Sequence, residues 1–370
     1  MSLCAGGPVR VAFITTNLAS GGAEKALVNL ARGLGARGHQ TSLVLLEKRI
    51  EHEPPLGVEL WSLGATRARR GWLGKRFSAW ALKRLLRRLS ATGSFDMIVS
   101  TLPYCDEVVA LARLPRVWYR IANTLSEEIE RLRRRRPDKA ARRLARYRRI
   151  YDAQNLIAVS DGVALDLREQ IGLSRANIVR IYNAFDAEQV RGLAALGDPE
   201  LPDKPYLIHV GRDVPQKRHD LLFDALRRSG LPHQLVLLCA PSSRLDRLIA
   251  QHGLEGRVRV AGFKRNPYPW IARAELLVLC SDHEGLPNVL IEALACGTRV
   301  LSTDCPSGPR EVLQGELARN LVPCGDPVAL ANGMRDVLAR PRPAPVVFRH
   351  FETGEVLAQY EALAGSWRGA

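Results

Sequence analysis

Short apolar runs alternate with amphipathic stretches from one end of the 370-residue chain to the other. The apolar runs predict buried parallel strands in two series, at residues 9–15, 41–46, 95–100, 116–122, 155–160 and 178–182, and at residues 206–210, 234–239, 257–261, 276–280 and 298–302. Helical spacing of apolar positions predicts helices at residues 23–37, 107–113, 218–227, 243–252, 287–296 and 354–366. Repeated strand–helix units form parallel sheets with helices on both faces, so the pattern indicates an α/β protein.

A polar stretch at residues 186–205 separates the two series of strands. We therefore predict two facing Rossmann-like domains, residues 1–185 and residues 186–345, followed by a last helical segment at residues 346–370. The length of 370 residues suits two cores better than one, and a hydrophobic content of 46% is ordinary for globular proteins.

Two glutamates, Glu284 and Glu292, lie eight positions apart across a predicted strand-to-helix junction. In an open α/β sheet, ligands bind at the loops that follow the carboxyl ends of the strands. The backbone N–H groups of Leu286, Asn288 and Val289 would be first-turn donors for an anion, while the carboxylates could accept from hydroxyl groups. A sugar nucleotide offers both kinds of group. The alternative is an acid favoured by the helix dipole and an exposed helix glutamate, although apolar residues flank Glu292.

Other candidate ligand-binding residues follow the first strand of each series. Arg212 and Lys217 could neutralise a departing diphosphate, because arginine forks onto phosphate oxygens and lysine adds a point charge. Gly21 and Gly22 would let the backbone approach a phosphate or a sugar ring closely. The alternatives are plain surface charge for the cations and an ordinary strand–helix turn for the glycines.

The net charge of +16 is concentrated in two predicted helical segments. Residues 67–88 hold nine basic and no acidic residues, and residues 131–149 hold eleven basic residues and one acidic residue. Such clustering implies a polyanionic partner. Leucines at 82, 85, 86 and 89 share one helix face opposite the cations, a profile suited to an anionic membrane surface. The expected membrane-facing residues are Lys83, Arg84, Arg87, Arg88, Arg133, Arg134, Arg135 and Arg136.

The alternative for the basic segments is a domain helix with a solvated cationic back. No apolar run reaches the roughly 18 residues of a membrane span, and the first residues lack a signal-peptide pattern. The 7 cysteines contain no C-x-x-C pair and the 8 histidines no metal-ligand spacing, so we expect neither a disulfide framework nor a metal. We expect a cytoplasmic protein, peripheral at the inner face of the cytoplasmic membrane.

Several segments taken together resemble the family 4 retaining glycosyltransferases of GT-B fold. In chain order they read GGAEKALVNLARGL, IAVSDGV, IYNAFD, HVGRDVPQKRHDLL, AGFKRNP and EGLPNVLIEALACGTRVLSTDCPSGPREVL. The resemblance covers nearly the whole chain and is strongest at residues 206–338, and the TDCPSGPRE stretch is similar to bacterial members that build surface polysaccharides and lipid-linked glycans. It implies that the last helix crosses back to the N-terminal domain.

The resemblance implies a role for each residue that matches the family's motifs. Glu292 would bind the donor ribose, and Glu284 would contact hydroxyls of the transferred sugar. Arg212 and Lys217 would hold the diphosphate and stabilise its departure. The rest of the donor site would consist of Gly21, Gly22, Phe263, Lys264, Gly285, Leu286, Pro287, Asn288 and Val289, with Phe263 and Lys264 near the base.

The chain departs from the family after the strand predicted at residues 95–100, where many relatives carry a histidine and this sequence has none. Asp106 and Asn123 are the acceptor-side candidates in its place.

The resemblance, together with the candidate residues, therefore implies a retaining glycosyltransferase that moves a hexose or N-acetylhexosamine from a nucleotide sugar, a UDP-sugar, to a lipid-linked or lipopolysaccharide-type acceptor. Metal independence is expected because no Asp-x-Asp occurs and protein cations could stabilise the leaving group instead. A sugar-nucleotide epimerase of the same fold is one alternative, and it would turn over the donor without an acceptor. A basic nucleic-acid-binding protein is another; no nucleic-acid partner is expected, because the basic tracts lack a module signature. An NAD-dependent oxidoreductase is the third.

Overall fold

The structure is a computed structural model that describes residues 7–19, 21–50, 57–67, 71–346 and 348–367. The chain divides into two compact units, Met1–Phe185 with His350–Ala370, and Asp186–Arg349. Each unit contains one sheet whose strands all pair in parallel. The predicted architecture of two parallel-sheet α/β domains is therefore confirmed.

The first unit has a seven-stranded sheet in the order β3-β2-β1-β4-β5-β6-β7. Its strands are β1 (Arg10–Thr15), β2 (Gln40–Glu47), β3 (Glu59–Ala65), β4 (Met97–Thr101), β5 (Val117–Ile121), β6 (Asn155–Ala158) and β7 (Asn177–Arg180). Its first six helices are α1 (Gly22–Ala36), α2 (Trp72–Leu89), α3 (Pro103–Ala112), α4 (Leu125–Arg133), α5 (Pro137–Tyr151) and α6 (Asp161–Leu165). β4 and β5 are buried along their whole length, as expected where helices cover both faces of a parallel sheet.

The second unit has a six-stranded sheet in the order β10-β9-β8-β11-β12-β13. Its strands are β8 (Tyr206–Val210), β9 (Gln234–Leu238), β10 (Val258–Val260), β11 (Leu276–Leu279), β12 (Arg299–Thr303) and β13 (Leu321–Val322). Its helices are α7 (Ala187–Ala195), α8 (His219–Ser229), α9 (Ser243–Gln251), α10 (Tyr268–Arg273), α11 (Asn288–Ala295), α12 (Pro309–Val312) and α13 (Pro327–Leu338). The strand order reverses between the neighbours β8 and β11, which makes this pair the topological switch point of the sheet.

A last helix, α14 (Thr353–Gly365), belongs to the first unit, as the resemblance implied. The N–H of Phe185 donates to Phe351 O at 2.9 Å, and the N–H of Thr353 donates to Phe185 O at 3.0 Å. Further along the helix, Glu361 pairs with Arg37 of the turn after α1 at 3.0 Å. The segment that leaves the first unit and the segment that re-enters it are thus joined by backbone hydrogen bonds.

The structure adds elements that the apolar pattern did not predict. β3 and β13 are extra edge strands, and α7 lies inside the polar stretch expected to be a linker. The side chain of Asp186 caps α7 by accepting from Gln189 N at 2.9 Å. The polar stretch therefore contains a capped helix of the second unit.

Candidate active site

The loops after β8 and β11 meet at the switch point of the second sheet. Lys217, in the β8 loop, and Glu284, in the β11 loop, form an ion pair with 2.6 Å between Nζ and Oε1. The same loops are also joined by the N–H of Asp282, which donates to Gln216 O at 2.9 Å, and by the Gln216 side chain, which donates to His283 O. Two predicted site residues that are 67 positions apart in sequence are therefore in direct contact.

Glu284 has further hydrogen-bond partners besides Lys217. Its side chain is buried, and Ser281 Oγ donates to Oε1 at 2.6 Å. Its backbone N–H donates to Pro306 O at 3.1 Å. A carboxylate fixed by a cation, a hydroxyl and its own backbone has a defined direction, which is a requirement for recognising one hydroxyl of a ligand. Sequence reasoning missed Ser281, because a short polar residue at a strand end has no periodic signal.

The segment 285–287 is packed against the loop that precedes α12. Gly308 has φ +95°, and a Cβ there would lie 2.4 Å from Pro287 Cδ and 2.9 Å from Gly285 O. Only glycine permits both the backbone conformation and the close approach. The N–H of Asn288 donates to Leu286 O at 3.0 Å, so it is not one of the anion donors that the sequence predicted.

Glu292 lies on α11 and is 8% exposed. Its Oε1 accepts a hydrogen bond from the hydroxyl of Tyr268, at the start of α10, at 3.3 Å. The alternative of an exposed helix glutamate is therefore wrong. Sequence reasoning did not find Tyr268.

The two cations of the β8 loop that the sequence predicted for the site differ in their surroundings. Lys217 is engaged by Glu284, whereas the side chain of Arg212 is exposed and has no hydrogen-bond or ion-pair partner among the residues that the structure describes. Asp213, the next residue, is held by Ser242 at 2.5 Å and by Arg244. Asp213 is therefore already paired, and the neighbouring Arg212 side chain is available to an anion.

Two neutral histidines lie beneath this loop. Burial lowers the pKa of His209 to about 3, with His219 as the next cause. Burial lowers the pKa of His219 to about 4, and the charges of Arg244 and Lys217 lower it further. Their rings are 4.9 Å apart, and His209 Nδ1 lies 2.9 Å from Val278 O. Both rings are thus uncharged at neutral pH, so they add no positive charge to that of Arg212, Lys217 and Arg218 in the loop, and Arg218 is already paired with Asp220 and Asp282.

The predicted base-side residues follow β10. The side chain of Phe263 is 49% exposed. Lys264 Nζ is 2.8 Å from Glu200 Oε1 and lies over the Trp270 ring at 5.0 Å. Since the Lys264 side chain has these partners, a base contact at this position would involve its backbone.

The predicted residues of the first unit have mixed outcomes. Gly21 caps α1, and Gly22 begins it, at the carboxyl end of β1, so the glycines lie where the sequence placed them. Asn123 lies in the loop before α4, and its Oδ1 accepts from the N–H of Thr124 at 2.9 Å. Asp106 is only 1% exposed and accepts from Ser100 Oγ at 2.5 Å and from Tyr151 OH at 2.7 Å. Its expected acceptor-side position is therefore wrong: the carboxyl group lies inside the unit, where burial raises its pKa to about 7.

The basic segments also required a correction. Leu82 and Leu86 of α2 are buried in the first unit, so the leucine face expected at a membrane is part of the core. The exposed face of α2 instead carries Trp72, Phe77 and Trp80 with arginines between and after them. Arg84, Arg87, Arg88, Arg133, Arg134, Arg135 and Arg136 are exposed and Lys83 is half-buried; residues 68–70 lie outside the described part of the chain.

Two negative findings apply to the residues that the structure describes. Within them, no group of three or more His, Cys, Asp or Glu is arranged to hold a metal ion. No helix among them is long and apolar enough to cross a membrane.

Solved structures share this fold at low sequence identity. Anabaena HepE in complex with UDP and glucose matches with a TM-score of 0.72 and 20% identity, over 97% of this chain and 100% of that one. Sucrose-phosphate synthase from Thermosynechococcus elongatus matches with a TM-score of 0.72 and 19% identity, over 98% of each chain. Two parallel-sheet α/β units with a returning C-terminal helix define the GT-B class of glycosyltransferase folds.

Sequence comparison then identifies the family. The model described as Glycosyltransferase Family 4 matches residues 20–189, and the model described as Glycosyl transferases group 1 matches residues 204–340. The chain belongs to the family 4 type of glycosyltransferases.

Several curated relatives are named for lipid-linked or lipopolysaccharide glycosyl transfer. The N-acetylgalactosamine-N,N'-diacetylbacillosaminyl-diphospho-undecaprenol 4-alpha-N-acetylgalactosaminyltransferase of Campylobacter jejuni is 35% identical over 188 residues, 50% of this chain and 51% of that protein. The lipopolysaccharide core biosynthesis glycosyltransferase LpsD of Rhizobium meliloti is 25% identical over 85% of this chain and 84% of that protein. The chain spans about half the length of the Campylobacter relative.

Proposed function

We propose that this protein transfers a hexose or N-acetylhexosamine from a UDP-sugar to a lipid-linked or lipopolysaccharide-type acceptor, with retention of configuration and without a metal ion. The observation that carries the proposal is the contact between Lys217 and Glu284 at the switch point of the second sheet, where ligands of open α/β folds bind. One contact thus brings together a cation suited to phosphate and a carboxylate suited to sugar hydroxyls.

In this proposal, each part of the donor (diphosphate, sugar and ribose) is bound by the side chains whose chemistry suits it. Lys217 and the unpartnered Arg212 hold the diphosphate, because guanidinium and ammonium groups bind phosphate oxygens strongly. Glu284, fixed by Ser281, accepts from a hydroxyl of the transferred sugar. Glu292 accepts from the ribose hydroxyls, since a buried carboxylate presents only hydrogen-bond acceptors.

The reaction exchanges one bond at the anomeric carbon for another. The bond from that carbon to the donor phosphate oxygen breaks, and a bond to the acceptor oxygen forms on the same face of the ring. The acceptor proton passes to the departing diphosphate. The leaving group gains negative charge as this happens, and Arg212 and Lys217 stabilise it electrostatically.

The nature of the acceptor is supported by the relatives. The Campylobacter enzyme is named for a diphospho-undecaprenol-linked saccharide, and the Rhizobium enzyme LpsD for lipopolysaccharide core biosynthesis. Both names describe saccharides carried on lipid. An enzyme acting on such acceptors must work at a membrane surface.

The first unit presents a surface suited to that location, the aromatic face of α2. Trp72, Leu73 and Trp80 are 67%, 74% and 56% exposed. The guanidinium groups of Arg76 and Arg84 lie 4.9 and 5.6 Å from the ring centroids of Trp72 and Trp80. Tryptophan prefers the headgroup level of a bilayer, and each basic residue near an anionic leaflet contributes about 1 kcal/mol. We therefore place an anionic membrane surface against this face.

Donor binding is tested by thermal shift with UDP-, GDP- and ADP-sugars on the wild type, Glu292→Ala and Glu255→Ala. Glu255 is an exposed glutamate of the same unit and controls for loss of charge. One nucleotide class should stabilise the wild type and Glu255→Ala but not Glu292→Ala. Stabilisation by no nucleotide sugar would contradict the proposal, and conversion of the donor to an epimer without acceptor would favour an epimerase.

Transfer is tested with the stabilising donor and a lipid-diphosphate-linked saccharide. Product NMR should show the anomeric configuration of the donor, and activity should survive EDTA. An inverted product, or activity restored only by added metal, would remove that part of the proposal.

Membrane binding is tested by sedimentation with phosphatidylglycerol and phosphatidylcholine vesicles. Leu73→Ala should weaken binding to the anionic vesicles, whereas Leu196→Ala, which removes an equally exposed leucine (74%) of the second unit, should not. Equal effects of the two substitutions would exclude α2 as the docking face, and equal binding to both lipids would exclude a preference for an anionic surface.

A further inference from the structure

A buried contact beside the proposed ribose site points to an additional functional residue, Tyr268. Its hydroxyl donates to Glu292 Oε1 at 3.3 Å, and the side chains of both residues are nearly buried, at 7% and 8% exposure. The two residues lie on different helices, α10 and α11, that pack against each other. The carboxylate direction therefore depends on a group 24 positions away in sequence.

Tyr268 is anchored by the segments around it. Its N–H donates to Asn266 Oδ1 at 3.3 Å, and Asn266 Nδ2 donates to Leu193 O of α7 at 2.9 Å. Further along α10, Trp270 O accepts from Tyr206 OH, and Ile271 O accepts from Thr298 Oγ1, both at 2.7 Å. Hydrogen bonds to three other segments thus fix the start of α10, and with it the position of the Tyr268 phenol.

A fixed phenol restricts what the carboxylate can do. A carboxylate has two oxygens, and one of them, Oε1, receives the Tyr268 hydroxyl. The hydrogen bond favours one rotation of the carboxylate plane, and this rotation sets the directions in which the carboxylate lone pairs can accept from a diol. Recognition of two adjacent hydroxyls depends on that rotation, because each bond needs its own lone-pair direction.

We infer that Tyr268 is a positioning residue that orients Glu292 for the vicinal hydroxyls of the donor ribose, and so sets the preference for ribonucleotides over deoxyribonucleotides. The inference rests on the proposed function, in which Glu292 binds the ribose. Tyr268 acts through Glu292 and needs no contact with the nucleotide. Removing its hydroxyl should therefore weaken ribose recognition selectively, without abolishing diphosphate binding.

The test compares the affinities of UDP and 2'-deoxy-UDP by isothermal titration, with GDP and 2'-deoxy-GDP in parallel. In the wild type the ribonucleotide should bind more tightly. In Tyr268→Phe that preference should fall by about 5-fold, the value of one ordinary hydrogen bond, through weaker binding of the ribonucleotide alone. In Glu292→Ala the preference should disappear.

The matched control is Ser229→Ala, which removes another buried hydroxyl of the same unit, one that donates to Leu226 O at 2.7 Å at the end of α8. It should lower stability but leave the nucleotide preference unchanged. If Tyr268→Phe keeps the wild-type preference, or weakens both nucleotides equally as a merely structural residue would, the inference is overturned. If the wild type binds no nucleotide, or if Glu292→Ala keeps the preference, the failure lies in the proposed function instead.

Discussion

Replacing Asp106 by asparagine tests the buried polar cluster of the first unit and the functional importance of its carboxyl group. Ser100 and Tyr151 both donate to this carboxyl group, which is 1% exposed. Burial raises the pKa of Asp106 from an ordinary 3.8 to about 7, although the two hydrogen bonds act in the other direction. Asparagine keeps the shape of the side chain and cannot ionise. The substitution should therefore remove one specific pH dependence.

The sign and size follow from the two pKa values. Below pH 4 the carboxyl group is protonated in both the folded and the unfolded chain. Between pH 4 and pH 7 the unfolded chain releases the proton and the folded chain keeps it, so the free energy of unfolding falls as the pH rises. Each pH unit costs about 1.4 kcal/mol, so the wild type should lose roughly 4 kcal/mol over this range relative to Asp106→Asn. Above pH 7 the difference should level off.

The assay is urea unfolding at pH 4, 5.5, 7 and 8, followed by pulsed hydrogen exchange in peptides from β4 and α3. Asp138→Asn, at an exposed position of α5, is the control and should show no such trend. A constant difference between wild type and Asp106→Asn across this range would refute the reasoning from burial. Loss of transfer activity with an unchanged fold would return Asp106 to the acceptor site.

Three further substitutions test other parts of the fold. Buried His219 resists protonation until about pH 4, whereas the unfolded chain takes up this proton near pH 6.5, so the free energy of unfolding of the second unit should fall by roughly 3 kcal/mol between these pH values. His219→Phe should abolish this fall, and an unchanged pH dependence in urea titrations would count against the prediction. Gly308→Ala places a Cβ 2.4 Å from Pro287 Cδ, so it should lower the free energy of unfolding by over about 2 kcal/mol and weaken nucleotide binding. The control Gly315→Ala has open space around the Cβ and φ +56°, so it should cost only about 1 kcal/mol, and equal losses of stability in urea would contradict the packing argument. Asp326→Ala removes the side chain that accepts from two N–H groups at the start of α13 and should cost about 1 kcal/mol in chemical unfolding; an unchanged midpoint would show that the cap contributes nothing.

The parallel strands could be predicted because they are buried on both faces. β2 shows six consecutive buried positions, and such a run is apolar in the sequence without needing an alternating pattern. β3 alternates between half-buried and exposed positions at the sheet edge, so its sequence is mixed and gave no signal. β13 has only two residues, too few for any periodicity.

The candidate site was predictable where topology decides the contacts. Lys217 and Glu284 follow neighbouring strands of one sheet, and the ends of neighbouring parallel strands meet at the same edge. Ser281 and Tyr268 were not predictable, because a hydroxyl that donates to a carboxylate depends on side-chain direction, within one loop for Ser281 and between two helices for Tyr268. The expectation for Asp106 failed for the same reason: chain position placed it near a strand end, but its side chain points into the unit.

Helix α2 illustrates a different limit of sequence reasoning. Apolar residues occur on two faces of this helix: leucines such as Leu82 and Leu86 on one, and Trp72, Phe77 and Trp80 on the other. Helical spacing identifies each face but not which of them meets the core. Packing decides this, because Leu82 and Leu86 of α2 enter the core of the first unit while the aromatic rings of the same helix remain exposed beside arginines.

The two parts of the proposal, donor binding and membrane binding, depend on charges in different units. Residues 186–349 contain 21 Lys or Arg and 19 Asp or Glu, so only +2 of the net charge of +16 belongs to the second unit. The cations of the donor site are therefore local, and many carboxylates of the same unit offset their long-range field. The excess charge belongs to the first unit, where it acts over the roughly 8 Å that physiological salt permits. Salt should consequently weaken vesicle binding far more than nucleotide binding, and either half of the proposal can fail while the other stands.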